Sequence, residues 1–552
     1  MLNLILRLSS AMVLSMKTFL QVRRYLQAAV FLCIFCAVPA IAEASGDYWS
    51  PWVTKTTTNS AVINWRGESN GVGSVNYATL DYYNQHQNFN NTIASQTNDQ
   101  HQHVQLAGLD PDTSYIYRVI PSGNENAFSN RMFRTMPVNG PFTFVVISDS
   151  QEGHNYTEWQ RFKYVADAVA KETNVLFILH GGDDAGFDYE PLWTTYFQVA
   201  DGMLSKFAIF PVIGNHEYHN PNGETNPPTA ADQYHWAYDM PLYYSFDCAD
   251  VRFVILNSPD PTNCASGSDD PQTSLALAQS QAPWLEDQLE NTMAGTFTIH
   301  HHPIWDNGRT NINSDLEPWE TLYHTYNISA NFAGHVHNYQ RFMVEGIPYI
   351  IAGIGGGICA DLADPDPVWY QFGETRKLGY IKVSVDPSNN TATAQEIVVA
   401  SVRENDDNET PEVYDPPLID DAVTFPLKVI GPVIRANGAI DDITISSGGN
   451  LSITVQMNPG EFDGIDVDWW LAACAGSSWY YMNNSYQWTP LTGNIYPVHQ
   501  GPLFNLLATE VLNMTGLPVG SYTFYFAVDY PMDGVLNVDG PILVDSVNVN
   551  VQ

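Results

Sequence analysis

Positive charge is what this chain has least of. Its 552 residues hold 22 Lys and Arg against 60 Asp and Glu, a formal net charge of −38. Such a surface repels nucleic acid and anionic membranes, so neither is expected as a partner. It also repels phosphate esters, and an anionic substrate would need a local positive source such as metal ions or a few arginines. Cysteine is scarce as well, with six in the chain. Cys33 and Cys36 fall in the first 42 residues and leave Cys248, Cys264, Cys359 and Cys474. That count excludes a disulfide-dense scaffold, and Cys248 with Cys264, close in sequence and flanking one strand, is the expected pair. Long apolar runs are nearly absent. The exception, Ala28 to Val38, follows Arg23-Arg24 and precedes Ala40-Ile41-Ala42. Residues 1–42 therefore read as a signal peptide, too short to span a membrane, and the protein is expected to be secreted or periplasmic with no membrane span.

The length suggests three or four units at roughly 150 residues each. Residues 47–138 look all-β: Ala61 to Trp65 alternates, and Leu109-Asp110-Pro111 precedes Tyr115 to Val119. An early strand Trp and a Leu-x-Pro-x-x-x-Tyr corner resemble fibronectin type III-like modules. Over 139–401 strands alternate with helical spacing, which indicates a layered α/β domain. Residues 402–424, acidic and containing several Pro, read as a linker. Residues 425–552 return to short strands, a second all-β sandwich. Asp529, Asp533, Asn537 and Asp539 partly match a calcium loop, although Pro531 and Gly540 stand where ligands are wanted.

The chemistry lies at the strand ends of the α/β segment. Apolar runs end in Asp149-x-Gln151, in Gly182-Asp183, in Gly214-Asn215-His216-Glu217, in His301-x-Pro303 and in Gly334-His335-x-His337. Open α/β sheets gather ligands beyond the carboxyl ends of their strands. Carboxylates, imidazoles and one amide oxygen suit two metal ions of intermediate hardness.

This ordered set resembles the calcineurin-like metallophosphoesterases. With the N-terminal sandwich and the run Gly334 to Arg341 it is most similar to the purple acid phosphatase branch. The resemblance implies a metallophosphoesterase core, a β-sandwich flanked by helices. It implies Asp149, Asp183 and His337 on a first metal, and Asp183, Asn215, His301 and His335 on a second; Gln151 departs from the His or Gly frequent at its place in the wider superfamily, and its amide oxygen is expected to ligate only weakly. His216 would stabilise the transition state or protonate the leaving oxygen, with Glu217 orienting it, and Arg309 and Arg341 would bind substrate phosphate. His300 and His302, alternating with His301, are expected to point the other way. The metals implied are Fe, Zn or Mn, with Mg also open. The activity implied is hydrolysis of small phosphomonoesters by direct attack of a metal-bridging hydroxide. A phosphodiesterase acting on nucleotides or lipid headgroups, and a non-catalytic binding protein with a degenerate core, are the competing readings. A second departure is that where the purple enzymes carry a metal-binding Tyr, three residues after the bridging Asp, this chain has Gly186. Unless Tyr189 reaches in, the protein should be colourless.

Overall fold

The structure, a computed structural model, describes residues 48–122, 127–151, 159–219, 231–264, 271–290, 294–308, 312–363, 368–403, 411–427, 431–437, 442–459, 462–538, 540 and 542–552. The expected signal peptide, Arg309 and Asp539 lie outside them. Among the described residues no helix is long and apolar enough to cross a membrane.

Two sheets packed face to face form the centre. The first has strand order β3-β2-β1-β11-β12-β13, where β1 is Phe142–Ile147, β2 Phe177–His180, β3 Ala208–Pro211, β11 Lys377–Asp386, β12 Thr391–Ser401 and β13 Glu412–Pro426. The second runs β4-β5-β6-β7-β9-β8-β10, with β4 Tyr244–Cys248, β5 Val251–Ile255, β6 Gly295–Ile299, β7 Ala330–Ala333, β8 Tyr339–Val344, β9 Ile347–Ala352 and β10 Tyr370–Glu374. Strands β1, β2 and β3 are mutually parallel, as are β5, β6, β7 and β9. Phenylalanines fill the space between the sheets: Phe144 meets Phe253 at 5.1 Å and Phe297 at 5.4 Å, both edge to face. Fully burying each such ring contributes about 1.5–3 kcal/mol. Helices Gln160–Val169 and Glu190–Leu204 bury apolar faces in the same core, and Leu275–Leu289 and Glu317–Tyr326 cover the outer face of the second sheet.

Residues 49–134 form a three-stranded and a four-stranded sheet. Tyr115 Oη accepts from the Asp110 amide at 2.9 Å, closing the expected corner. Trp52 packs, tilted, against Phe197 of helix Glu190–Leu204 at 4.1 Å, fixing this sandwich to the core. The chain from 431 onward builds a second pair of sheets with its own apolar core around Trp469, Phe526 and Val549.

Three expectations are corrected here. The supposed linker contains β13, which pairs along β12 at the sheet edge. Its residues are mostly exposed on both faces, so no apolar alternation betrays it. Cys248 is a buried free thiol at the end of β4, so the Cys248–Cys264 disulfide is not formed. The acidic loop after Asp529 is internally satisfied: Asp529 accepts from the Trp470 indole and the Asn537 amide, both at 2.6 Å, and Asp468 accepts from the amides of Asp533 and Gly534. Carboxylates already committed to N–H donors leave little for calcium.

Candidate metal centre

Parallel strands place their carboxyl ends on one rim, and both sheets contribute. β1 delivers Asp149, β2 Asp183 and β3 Asn215 from the first sheet; β6 delivers His301 and β7 His335 and His337 from the second. The turns leaving these strands are tight. Asp149, Asp183 and His335 all adopt left-handed backbone, with φ of 59°, 57° and 67°. For residues with a Cβ this costs about 1 kcal/mol or more each, and such strain concentrates at functional sites. It is held by cross-links between turns: the Asp149 amide donates to Gly182 O at 3.1 Å and the Ser150 amide to Asp183 O at 3.0 Å. Gly334 is required by space, since a Cβ there would sit 1.9 Å from Ser148 Oγ and 2.6 Å from Asp149 Oδ2.

The imidazoles are aimed by main-chain carbonyls. His301 Nδ1 donates to Gly181 O at 2.9 Å, His337 Nδ1 to Ile358 O at 2.7 Å, and His216 Nδ1 to Gly186 O at 2.7 Å. Each contact fixes the tautomer and turns Nε2 inward. His301 Nε2 then lies 3.3 Å from Asp183 Oδ2 and 2.8 Å from Asn215 Oδ1, and His337 Nε2 lies 3.4 Å from Asp149 Oδ1. His335 Nδ1 reaches the same Asn215 oxygen at 3.0 Å, while its amide donates to both oxygens of Asp149. Asp149, Asp183 and His301 are buried, with ligand atoms within 4.8 Å of one another. His216 is the outlier: its side chain is 32% exposed and its Nε2 stands 3.9 Å from Asp183 Oδ2.

These donors fit divalent ions. Carboxylates and inward lone pairs facing each other need a positive charge between them, and in its absence protons serve. Burial disfavours a charged His301 ring, yet Asp183 and Asp149 overcome it and push the ring up to about 10. Burial likewise opposes ionisation of Asp183, but the facing His301 and His216 hold it well below the ordinary carboxylate range. Gln151 points its Nε2 at Asp183 Oδ2 (3.1 Å) and His337 Nε2 (3.0 Å), while its buried Oε1 has no hydrogen-bond partner among the described residues. Exchanging the amide O and N turns an oxygen toward the carboxylate and imidazole, the arrangement a cation would favour.

Several expected roles change. Glu217 does not orient His216. It is fully buried and accepts from three main-chain amides, Gly214 (2.7 Å), Asp183 (3.0 Å) and Asp184 (2.9 Å), clamping two strand-end turns together. Arg341 is not available for phosphate: its Nε and Nη2 hold Asp421 of β13 at 2.6 and 3.0 Å. His300 does turn away, toward Trp319 at 5.3 Å. His302 does not; its ring lies 4.1 Å from that of His335, and Ser258 Oγ sits 3.1 Å from its Nδ1. Alternation fails because β6 ends at Ile299, three residues earlier. Tyr189 caps helix Glu190–Leu204 and is 47% exposed, and Phe187 presents its ring to His216 at 6.2 Å. Ser258 and the three aiming carbonyls were not anticipated; a carbonyl leaves no signal in side-chain spacing.

Residues 142–339 match the family described as Calcineurin-like phosphoesterase. Probable purple acid phosphatase 20 of Arabidopsis thaliana is 28% identical over 352 residues, 57% of this chain and 73% of that protein. Purple acid phosphatase 21 of the same plant is 28% identical over 297 residues, 50% of this chain and 63% of its own length. Among solved structures, PhoD superposes with a TM-score of 0.52 at 14% identity, covering 71% of this chain and 92% of that one. A purple acid phosphatase from yellow lupin (Lupinus luteus) seeds gives 0.50 at 14% identity, covering 69% and 74%; both likenesses concern the fold. Residues 142–339 thus carry a calcineurin-like phosphoesterase domain, and the chain's similarity to purple acid phosphatases supports a metal-dependent hydrolase of phosphoric esters.

Proposed function

We propose that this protein is a secreted phosphatase that hydrolyses small phosphomonoesters at a two-metal centre. The observation that carries the reading is the gathering of Asp149, Asp183, Asn215, His301, His335 and His337 at one rim, with half-exposed His216 beside Asp183. Asp183 stands between the two groups of donors, touching Gln151 on one side and His301 on the other, so it would bridge the ions. Asp149 and His337 would complete the first site, and Asn215, His301 and His335 the second. When bound, ions of the Fe, Zn or Mn class supply Lewis acidity and make water nucleophilic near neutral pH.

The chain's own groups do the rest. His216, held at Nδ1 by Gly186 O, keeps Nε2 directed into the site. Protonated there, it donates to a phosphoryl oxygen or to the leaving oxygen. Among the described residues, Ser148 and Ser150, the hydroxyls flanking Asp149, are buried and donate to the carbonyls of Gly182 and Asp184, so neither is poised as a nucleophile. Displacement at phosphorus is therefore direct, without a covalent enzyme intermediate. Export is supported by Arg23-Arg24, the run Ala28 to Val38 and the small residues Ala40-Ile41-Ala42.

The test is kcat/KM of the metal-reconstituted protein for a chromogenic phosphomonoester and for the matching diester. A clear monoester preference is expected. Diester preference would keep the centre and replace the substrate class, and turnover of neither with metals bound would favour a binding role.

A further inference from the structure

One buried charge has no place in the chemistry above. Glu396 on β12 is fully buried, and neither of its carboxylate oxygens has a hydrogen-bond partner among the described residues. An ionised carboxylate left this way is costly, and natural folds usually supply a donor, a proton or a cation. Its surroundings supply further carboxylates. Gln395 pairs with Ala422 and Ile397 with Ile419, so the single residue Glu396 opposes two residues of β13, Asp420 and Asp421. This is a β-bulge, the kind of irregularity that re-aims side chains at a site. Glu374 of β10 approaches from the other sheet, joined to the group by Lys377, whose Nζ lies 3.2 Å from both Glu374 Oε2 and Asp420 Oδ2. Asp421 is held by Arg341 and by the Tyr339 hydroxyl at 2.8 Å. Burial first, and then Glu374, Asp420 and Asp421, push the Glu396 carboxyl up to about 9.

The charges do not balance. With Glu396 ionised, four carboxylates would face two cations, Lys377 and Arg341, leaving two negative charges that either a proton on Glu396 or a bound cation must offset. We propose that Glu396, whose two oxygens are uncommitted, binds a hard divalent cation of the calcium class together with the oxygens of Glu374 and Asp420 that Lys377 does not hold, beside the Arg341–Asp421 pair. The donors named are all oxygens, with no imidazole or thiol among them, which suits calcium over zinc or copper. The free oxygens of Glu396 are the core of the site. As they stand, no three of these carboxylates bring oxygens within 4.8 Å of one another, so the side chains would have to close on the ion. The ion would join β12 and the edge strand β13 of the first sheet to β10 at the edge of the second. This site is independent of the metal centre and of the reaction assigned to it.

The experiment uses the full chain with its catalytic metals loaded and quantified. Calcium is titrated by calorimetry and thermal unfolding is followed at each concentration, for the wild type, Glu396→Gln and Glu374→Gln. The wild type is expected to bind calcium and unfold at a higher temperature. Glu396→Gln is expected to lose that binding and that shift while keeping its catalytic metals, with Glu374→Gln weakened; if Glu396→Gln does not fold, Glu374→Gln decides alone. Absence of a calcium effect in the wild type, or an equal effect in the variants, overturns the proposal and leaves a proton as the occupant of Glu396.

Discussion

Glu217 and Glu396 are both carboxylates without exposed surface, and their environments make opposite demands. Glu217 accepts from three amides, so it belongs to the framework of the site. Hydrogen bonds to a charged group contribute about 1.5–3 kcal/mol each. Glu217→Ala should therefore lower the unfolding temperature by several degrees and reduce bound metal, because the turns carrying Asp183 and Asn215 come apart; thermal scans and elemental analysis would check both. Glu396 accepts from none among the described residues. Its carboxyl is raised from the ordinary 4.5 to about 9, so the folded state holds a proton that the unfolded chain has released. That contribution is fully present below about pH 4.5 and is lost as pH rises toward 9. In calcium-free buffer, unfolding temperature should fall across this window in the wild type and fall less in Glu396→Gln. The groups facing it are Glu374, Asp420, Asp421 and Lys377, with Tyr339 and Arg341 beyond. Gly186 is decisive in another way. With no Tyr in its place and Tyr189 turned outward, an iron-loaded sample should show no tyrosinate band in its visible spectrum, and such a band would refute the assignment.

Among the elements, β13 alters the reading most. It binds Arg341 through Asp421, a bidentate contact whose two side chains are 13% and 10% exposed. Arg341→Met should lower stability through loss of this tie and leave KM for a phosphomonoester nearly unchanged; a large rise in KM with unchanged stability would restore a substrate role. The metal-bearing strands β1, β2, β3, β6 and β7 were legible in the sequence because each is an apolar run, buried on both faces, that ends abruptly in Asp, Asn or His. β13 was not, because an exposed edge strand rich in Asp and Pro has the composition of a linker and no apolar period. His302 was misread for a related reason: alternation holds only within a strand, and the chain has already left β6. Which histidine nitrogen faces the centre was also beyond the sequence, since Gly181, Gly186 and Ile358 decide it with their carbonyls.

At the level of the whole molecule, a chain with a net charge of −38 gathers its imidazoles at one rim and offsets their carboxylates there. Ions held at that rim would provide the positive source that an anionic ester requires on such a surface. The N-terminal sandwich packs through Trp49 and Trp52 on Phe197 of helix Glu190–Leu204, the element that follows the Asp183 turn. Everything functional in this account passes through Asp183, the carboxylate shared between the two donor groups. The decisive measurement is the metal content and phosphomonoester turnover of Asp183→Asn beside the wild type, both verified as folded by thermal unfolding. The wild type should hold about two ions per chain, and the variant should lose bound metal and turnover together. A variant that keeps its metals and its activity, or a wild type that remains active after exhaustive chelation, would contradict the account.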